Sequence, residues 1–207
     1  MKTRFLLYFC AALFALQGAA YAQVDSSDPQ ILIRTATQQI LDEVRTRAID
    51  PNDIRRIMDI VDRDILPYTD FRRTTSLAMG RHWQSATPAQ QRQLIEQFKL
   101  LLIHTYSGAI GQLRADQQIK YPPSRIDPAD SDVVVRTVAI RGGEPVEIDY
   151  RLYKTSQGWR LYDINVLGVW LVQTYRQQFG DEIRQNGIDG LIRLLIERNQ
   201  HLASDKQ

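Results

Sequence analysis

Cysteine is nearly absent: the single Cys10 lies in an apolar run near the start of the chain, so no disulfide framework can be built. Long apolar runs are lacking too. The stretch from Phe5 to Leu16 is shorter than the roughly 20 residues a membrane-spanning helix needs, and nothing later approaches that length. There is no glycine-rich phosphate loop, no strand-turn-helix nucleophile elbow and no histidine pair at metal-ligand spacing, which leaves phosphoryl transfer, serine hydrolysis and zinc chemistry without a motif. Charge of one sign is also missing. The 26 Lys and Arg stand against 24 Asp and Glu, not the basic excess of a nucleic-acid binder. Neither a low-complexity segment nor an internal repeat is present.

What the N-terminus does contain is Lys2 and Arg4, the apolar run, and then Ala20-Tyr21-Ala22, a small-x-small site. This is the pattern of a secretory signal peptide cleaved after Ala22. Its removal takes away two basic residues, no acidic one and the cysteine, leaving a chain of zero formal charge. Cys10 is not followed by the start of a mature chain, which argues against a lipid-modified N-terminus. Residues 23–207 are then expected to be exported and soluble, and long enough to bury a real core without disulfides. They read as a single domain, with two intertwined subdomains as the alternative.

Helix signals come first along the mature chain. Asp28-Pro29 predicts a cap and first turn, with Ile33, Ile40, Leu41 and Val44 buried on a helix reaching about Ala48. Asp50-Pro51 predicts a second helix to about Asp64, apolar at Ile54, Ile57, Met58, Val61 and Ile65. Leu66-Pro67-Tyr68-Thr69 breaks it, and Asp70 caps a short helix ending near Gly80. Thr87, Pro88 and Gln90 form a reciprocal capping arrangement for a long helix whose Leu94, Phe98, Leu101, Leu102, Tyr106 and Ala109 share a face. Leu100 and Ile103 lie off that stripe, so this helix is expected to be buried between layers. Tyr68, Phe71 and Trp83 are expected to cluster at one of its ends.

After Gly111 the period changes. A short segment near Ile119 to Tyr121, the β-branched run Asp132 to Arg141, the alternating Val146 to Tyr153 after Gly142-Gly143, and Trp159 to Val166 after Ser156-Gln157-Gly158 predict an antiparallel sheet of about four strands. Helical spacing returns beyond Gly168, with Gly180 expected to end or interrupt one helix and Gly187 to open the last. Helices, then a meander, then helices define an α+β fold with a helical layer on the sheet.

Candidate chemistry is sparse. His82, His104 and His201 are far apart in sequence, and His104 reads as a packed structural histidine rather than an acid-base group. Asp163, in a strand between Tyr162 and Ile164, reads as bonded to backbone or arginine, with general-base work on an apolar substrate as the alternative. The stronger anomaly is the convergence of large apolar residues on one layer boundary: Phe98, Leu102 and Tyr106 from the helix, and Ile148, Tyr150, Leu152, Leu161 and Ile164 from the sheet. These residues build either an ordinary core or an apolar cavity, and composition does not separate the two.

Leu66-Pro67-Tyr68-Thr69-Asp70-Phe71, Gly80 with Trp83, Ala86-Thr87-Pro88 with Phe98, Leu101, Leu102 and Tyr106, Trp159 to Ile164, Gly168, and Tyr175 to Phe179 occur in an order that resembles the MlaC, or toluene-tolerance, family. The resemblance covers nearly the whole mature chain. Trp170 departs from it, since a small serine-like residue is expected there and its bulk bears on pocket width. The resemblance implies a periplasmic carrier without catalytic activity, metal or cofactor, whose cavity holds phospholipid acyl chains. It also implies exchange between an outer-membrane lipoprotein-porin complex and an inner-membrane ABC transporter with a substrate-binding ring subunit, in maintenance of outer-membrane lipid asymmetry. Leu66, Tyr68, Phe71, Trp83, Phe98, Leu102, Tyr106, Ile148, Tyr150, Leu152, Leu161 and Ile164 are the expected walls, and Arg72 and Arg73 near the rim read as solvated surface arginines, with contact to a phosphate as the alternative. A small enzyme of cone-shaped α+β fold and an adaptor with a filled core are the rival readings.

Overall fold

A computed structural model of the chain describes residues 25–47, 53–111, 113, 116–141 and 143–204. The signal-peptide stretch, the Asp50-Pro51 helix start and Gly142 lie outside the described residues. Helix α1, Pro29–Arg47, opens where Asp28 Oδ1 accepts the amides of Gln30 and Ile31 at 2.7 and 2.9 Å. Helix α2, Ile54–Ile60, opens at Asp53, whose carboxylate accepts from Arg56 N at 3.1 Å. The chain then widens into a π-helical turn, Val61–Ile65, and tightens into a 3₁₀ turn, Leu66–Tyr68, instead of running as one helix to Asp64. Pro67 has no amide to continue an α-helical ladder, so the turn type must change there.

Asp70 caps α3, Phe71–Met79, by accepting from Arg73 N at 2.9 Å, and Gly80 ends it with a φ of 54°. A 3₁₀ turn, Gly80–Trp83, leads to α4, Pro88–Gly111. The reciprocal cap forms as expected: Gln90 N donates to Thr87 Oγ1 at 3.2 Å, and Thr87 N donates to Gln90 Oε1 at 2.9 Å.

The sheet is an antiparallel meander of β1 (Gln118–Lys120), β2 (Asp132–Arg141), β3 (Glu144–Thr155), β4 (Gly158–Val166) and β5 (Val169–Trp170), hydrogen-bonded in that order. It has five strands where about four were expected. The additional one, Val169–Trp170, pairs with Asn165 and Val166, so the chain turns back along the sheet before it becomes helical. Val133, Val135 and Thr137 stand opposite Leu152, Tyr150 and Ile148, which sets one face toward the helices. A bulge between Arg151 and Leu152 shifts the β3–β4 register.

Helix α5, Leu171–Ser204, runs unbroken through Gly180 and breaks at Gly187, whose φ of 71° and ψ of −177° are open to glycine alone. Three packed clusters result. One joins α3, α4 and α5 around Phe98; one joins α1 to the sheet through Leu32, Ile33, Val135 and Leu152; one joins α1, α2 and α4 around Ile57 and Ile103.

An apolar cavity between helices and sheet

Between the second and third of these clusters lies a cavity of about 380 Å³, within the range of small-molecule sites. One wall is α1, with Leu32, Ile33, Ala36, Ile40 and Leu41; another is the inward face of the sheet, with Ile119, Ala139, Ile148, Tyr150, Leu161 and Ile164. Tyr68, Phe71 and Thr74 line it where the 3₁₀ turn leads into α3, and Leu102, Tyr106 and Ala109 of α4 complete the lining. The alternation of β residues and the 3.6-residue period of α1 and α4 aim these side chains at a common space.

The mouth is marked by wall residues that also face outward: Tyr106, Ala109 and Val166. Beside it the β4–β5 turn exposes Leu167 and Val169 at 67% and 54%, an unusual display for large aliphatic side chains. Leu167 takes a left-handed φ of 53° there, with its amide bonded to Glu147 O at 3.2 Å.

Eight of the twelve expected wall residues lie in the lining: Tyr68, Phe71, Leu102, Tyr106, Ile148, Tyr150, Leu161 and Ile164. The structure places the other four elsewhere. Phe98 is fully buried against α5, edge-on to Tyr175 and Phe179 with centroids 4.8 and 4.9 Å away. Trp83 packs against that same cluster, Leu66 against the α2 cluster, and Leu152 is sealed between α1 and the sheet. The expected Tyr68, Phe71 and Trp83 cluster therefore divides, Tyr68 and Phe71 facing the cavity and Trp83 the helical core. The α1 wall was not expected, although its stripe of Ile33, Ile40 and Leu41 was the signal that could have disclosed it.

The polar groups of the wall are committed to the fold. Asp64, buried in the π-turn, is gripped by Arg63 through Nε at 2.9 Å and Nη2 at 2.7 Å. Asp163 accepts from Ile164 N at 2.9 Å, Val172 N at 3.0 Å and Arg151 Nη1 at 3.2 Å. Burial nonetheless pushes its carboxyl above the ordinary value, against the lowering effect of those bonds. Trp170 lies outside the lining; its ring stacks 3.8 Å from the Arg151 guanidinium carbon, so its bulk is spent on the Arg151–Asp163 pair rather than on pocket width. Arg73 is held between Tyr153 and Tyr162 at 4.0 and 4.5 Å and bonds Asp132 at 3.0 Å, while Arg72 lies over Trp83 at 5.4 Å. Tyr162 donates to Asp132 at 2.7 Å, and burial, with that bond, pushes its hydroxyl up to about 12. Among the described residues no group of His, Cys, Asp and Glu could hold a metal ion, and no helix is long and apolar enough to cross a membrane.

A second groove of about 410 Å³ lies in the bend of α5 around Leu191 and Leu195. Asp181, Glu182 and Arg198 add charge to a lining that also holds Phe179, Leu191 and Leu194, whereas the first cavity is almost wholly apolar.

Helices laid on an antiparallel meander around an apolar space define the class: α+β proteins with an apolar compartment between helices and sheet. The chain belongs to the MlaC family, whose model, described as MlaC protein, matches residues 34–197. It is 22% identical over 194 residues to the intermembrane phospholipid transport system binding protein MlaC of Haemophilus influenzae, covering 90% of this chain and 88% of that one. It is 23% identical over 171 residues to the toluene tolerance protein ttg2D of Pseudomonas putida, covering 80% and 78%. Its structure superposes with a TM-score of 0.81 on a phospholipid-binding protein from Ralstonia solanacearum solved in complex with a phospholipid, at 43% identity over 86% of this chain and 99% of that chain.

Proposed function

We propose that the protein is a periplasmic phospholipid carrier, exported by cleavage after Ala22, that moves lipid between outer- and inner-membrane complexes and so supports outer-membrane lipid asymmetry. Residues 23–207 act as one lipid-carrying unit. Its partners are an inner-membrane ABC transporter with a substrate-binding ring subunit and an outer-membrane lipoprotein-porin complex. The observation that carries this reading is the apolar cavity itself, whose wall includes the solvent-exposed Tyr106 and Val166.

The need for a carrier follows from the hydrophobic effect. At roughly 0.8 kcal/mol per buried CH₂, two acyl chains of about 15 carbons oppose transfer into water by on the order of 20 kcal/mol. A cavity walled by aliphatic and aromatic side chains replaces the bilayer's apolar surroundings, so loading and unloading can be nearly balanced without chemistry. No bond is made or broken, and no metal or cofactor is required. The catalytic alternative loses its strongest residue because the Asp163 carboxylate is already engaged by two amides and Arg151.

Native mass spectrometry of the purified chain, followed by identification of the organic extract, tests the reading. About one phospholipid per chain is expected; a chain that emerges lipid-free and takes up none from detergent-dispersed phospholipid would overturn it.

A further inference from the structure

A phospholipid held by its tails still presents a phosphodiester, and a guanidinium matches that anion with a planar fork of donors. The basic side chains adjoining the cavity wall differ in what they already hold. Arg63 is bound to Asp64 at 2.7 Å and lies 3.6 Å from Glu43. Arg73 is bound to Asp132 and Arg151 to Asp163, while Arg72 rests on Trp83. Lys120 and Arg160 each stand one position from an inward strand residue, Ile119 or Leu161, and so leave the opposite face of the sheet.

Arg34 is the exception. It is exposed on α1, next to Ile33 and one turn before Thr37, both in the cavity wall. Its guanidinium carbon lies 4.2 Å from the ring centroid of Tyr121, just beyond β1. No carboxylate among the described residues pairs with it. The Tyr121 hydroxyl and the nearby Ser124 hydroxyl are both buried without a hydrogen-bond partner among the described residues. Buried hydroxyls are ordinarily satisfied, so two left open on one four-residue loop mark a segment that can accept another polar group. The strip adjoins a wall residue: the hydroxyl of Tyr150 is pushed up to about 12 chiefly by burial, and the Tyr121 phenol adds a smaller electrostatic effect. Gln30 Nε2, bonded to Ser124 O at 2.9 Å, fixes the distance between α1 and the 121–124 loop.

We propose that Arg34, seated on the face of Tyr121, binds the phosphodiester of a phospholipid whose tails occupy the cavity. The inference rests on the carrier reading and adds to it a headgroup contact between α1 and the edge of the sheet. A cation stacked on an aromatic ring is already oriented, so little side-chain freedom is lost on binding.

The test is competitive loading of the delipidated chain from an equimolar detergent dispersion of phosphatidylglycerol and diacylglycerol with matched tails, read by native mass spectrometry. The parent chain should retain phosphatidylglycerol over diacylglycerol. Arg34→Gln should lower that ratio about tenfold, the effect of one charge-assisted hydrogen bond, and Arg34→Lys should restore part of it. Thermal melts of both variants establish that they fold. A ratio unmoved by Arg34→Gln overturns the Arg34 site and leaves the carrier reading standing, as does a parent chain that loads both lipids without preference. A parent chain that loads neither lipid overturns the carrier reading itself.

Discussion

Asp163 is a carboxylate in the wall of an apolar cavity, a placement that invites a catalytic reading, yet its bonds to two backbone amides and Arg151 make it a fastener between β4, β3 and the start of α5. Desolvation outweighs those bonds, so its pKa in the folded chain stands above the ordinary 3.8. A raised acid keeps its proton longer in the folded state than in the unfolded one. The stability it lends is therefore complete below about pH 3.8 and is lost as pH rises through the folded value, opposite to the usual paired carboxylate. Asp163→Asn keeps the shape and cannot ionise, so its stability relative to the parent should rise between about pH 3 and about pH 7 in urea melts. A gap that stays constant, or shrinks, would mean that the Arg151 pair outweighs burial.

At the scale of elements, the cavity depends on how α1 is tied down. Ahead of α1, Ser26 O accepts the amide of Trp159 at 2.8 Å and Ser26 Oγ donates to Gln157 O at 3.3 Å, strapping the N-terminal segment over the β3–β4 turn. Gly158 makes this possible twice over. Its φ is 103°, and a Cβ there would stand 2.6 Å from the backbone oxygen of Ser26. Gly158→Ala should cost roughly 1–3 kcal/mol in urea denaturation and speed amide exchange in the first turn of α1. Gly143→Ala is the control, since that residue also has a positive φ of 92° but open space around it. If both variants lost the same stability, backbone strain alone would account for the effect and the strap would contribute nothing.

For the molecule as a whole, the α3–sheet side of the cavity is fixed, and among the described residues the α1 helix itself is held by fewer polar ties. Thr74 Oγ1 donates to Tyr162 O at 2.8 Å, Asp70 N donates to Leu161 O at 2.8 Å, Tyr153 donates to Asp70, and Arg73 joins Asp132. Filling the space from the α1 side should therefore exclude lipid without dismantling the fold. Ala36→Phe places a ring in the cavity at a helix position that tolerates it, and lipid retained after purification should fall at least tenfold while the melting temperature of the delipidated chain stays level or rises. Full lipid occupancy in this variant, by native mass spectrometry, would show that the tails lie elsewhere.

The amino-acid order alone determined whatever depends on near neighbours. Asp28, Asp70 and the Thr87–Gln90 pair cap helices where their spacing says they must, and Asp132 to Arg141 forms a strand with the expected bounds. Local chemistry suffices for these because the partner of each group lies within four residues, or because one side-chain period runs the length of the element. What tertiary structure decided is which apolar side chains meet one another and which meet empty space. Phe98 and Leu102 sit four residues apart on one helix face, yet one is sealed against Tyr175 and Phe179 and the other lines the cavity. Burial in a core and lining of a cavity require the same residue types, so only the distance between layers separates them. The fate of Trp170 was settled in the same way, by an arginine 19 positions earlier that sequence spacing could not have brought beside it.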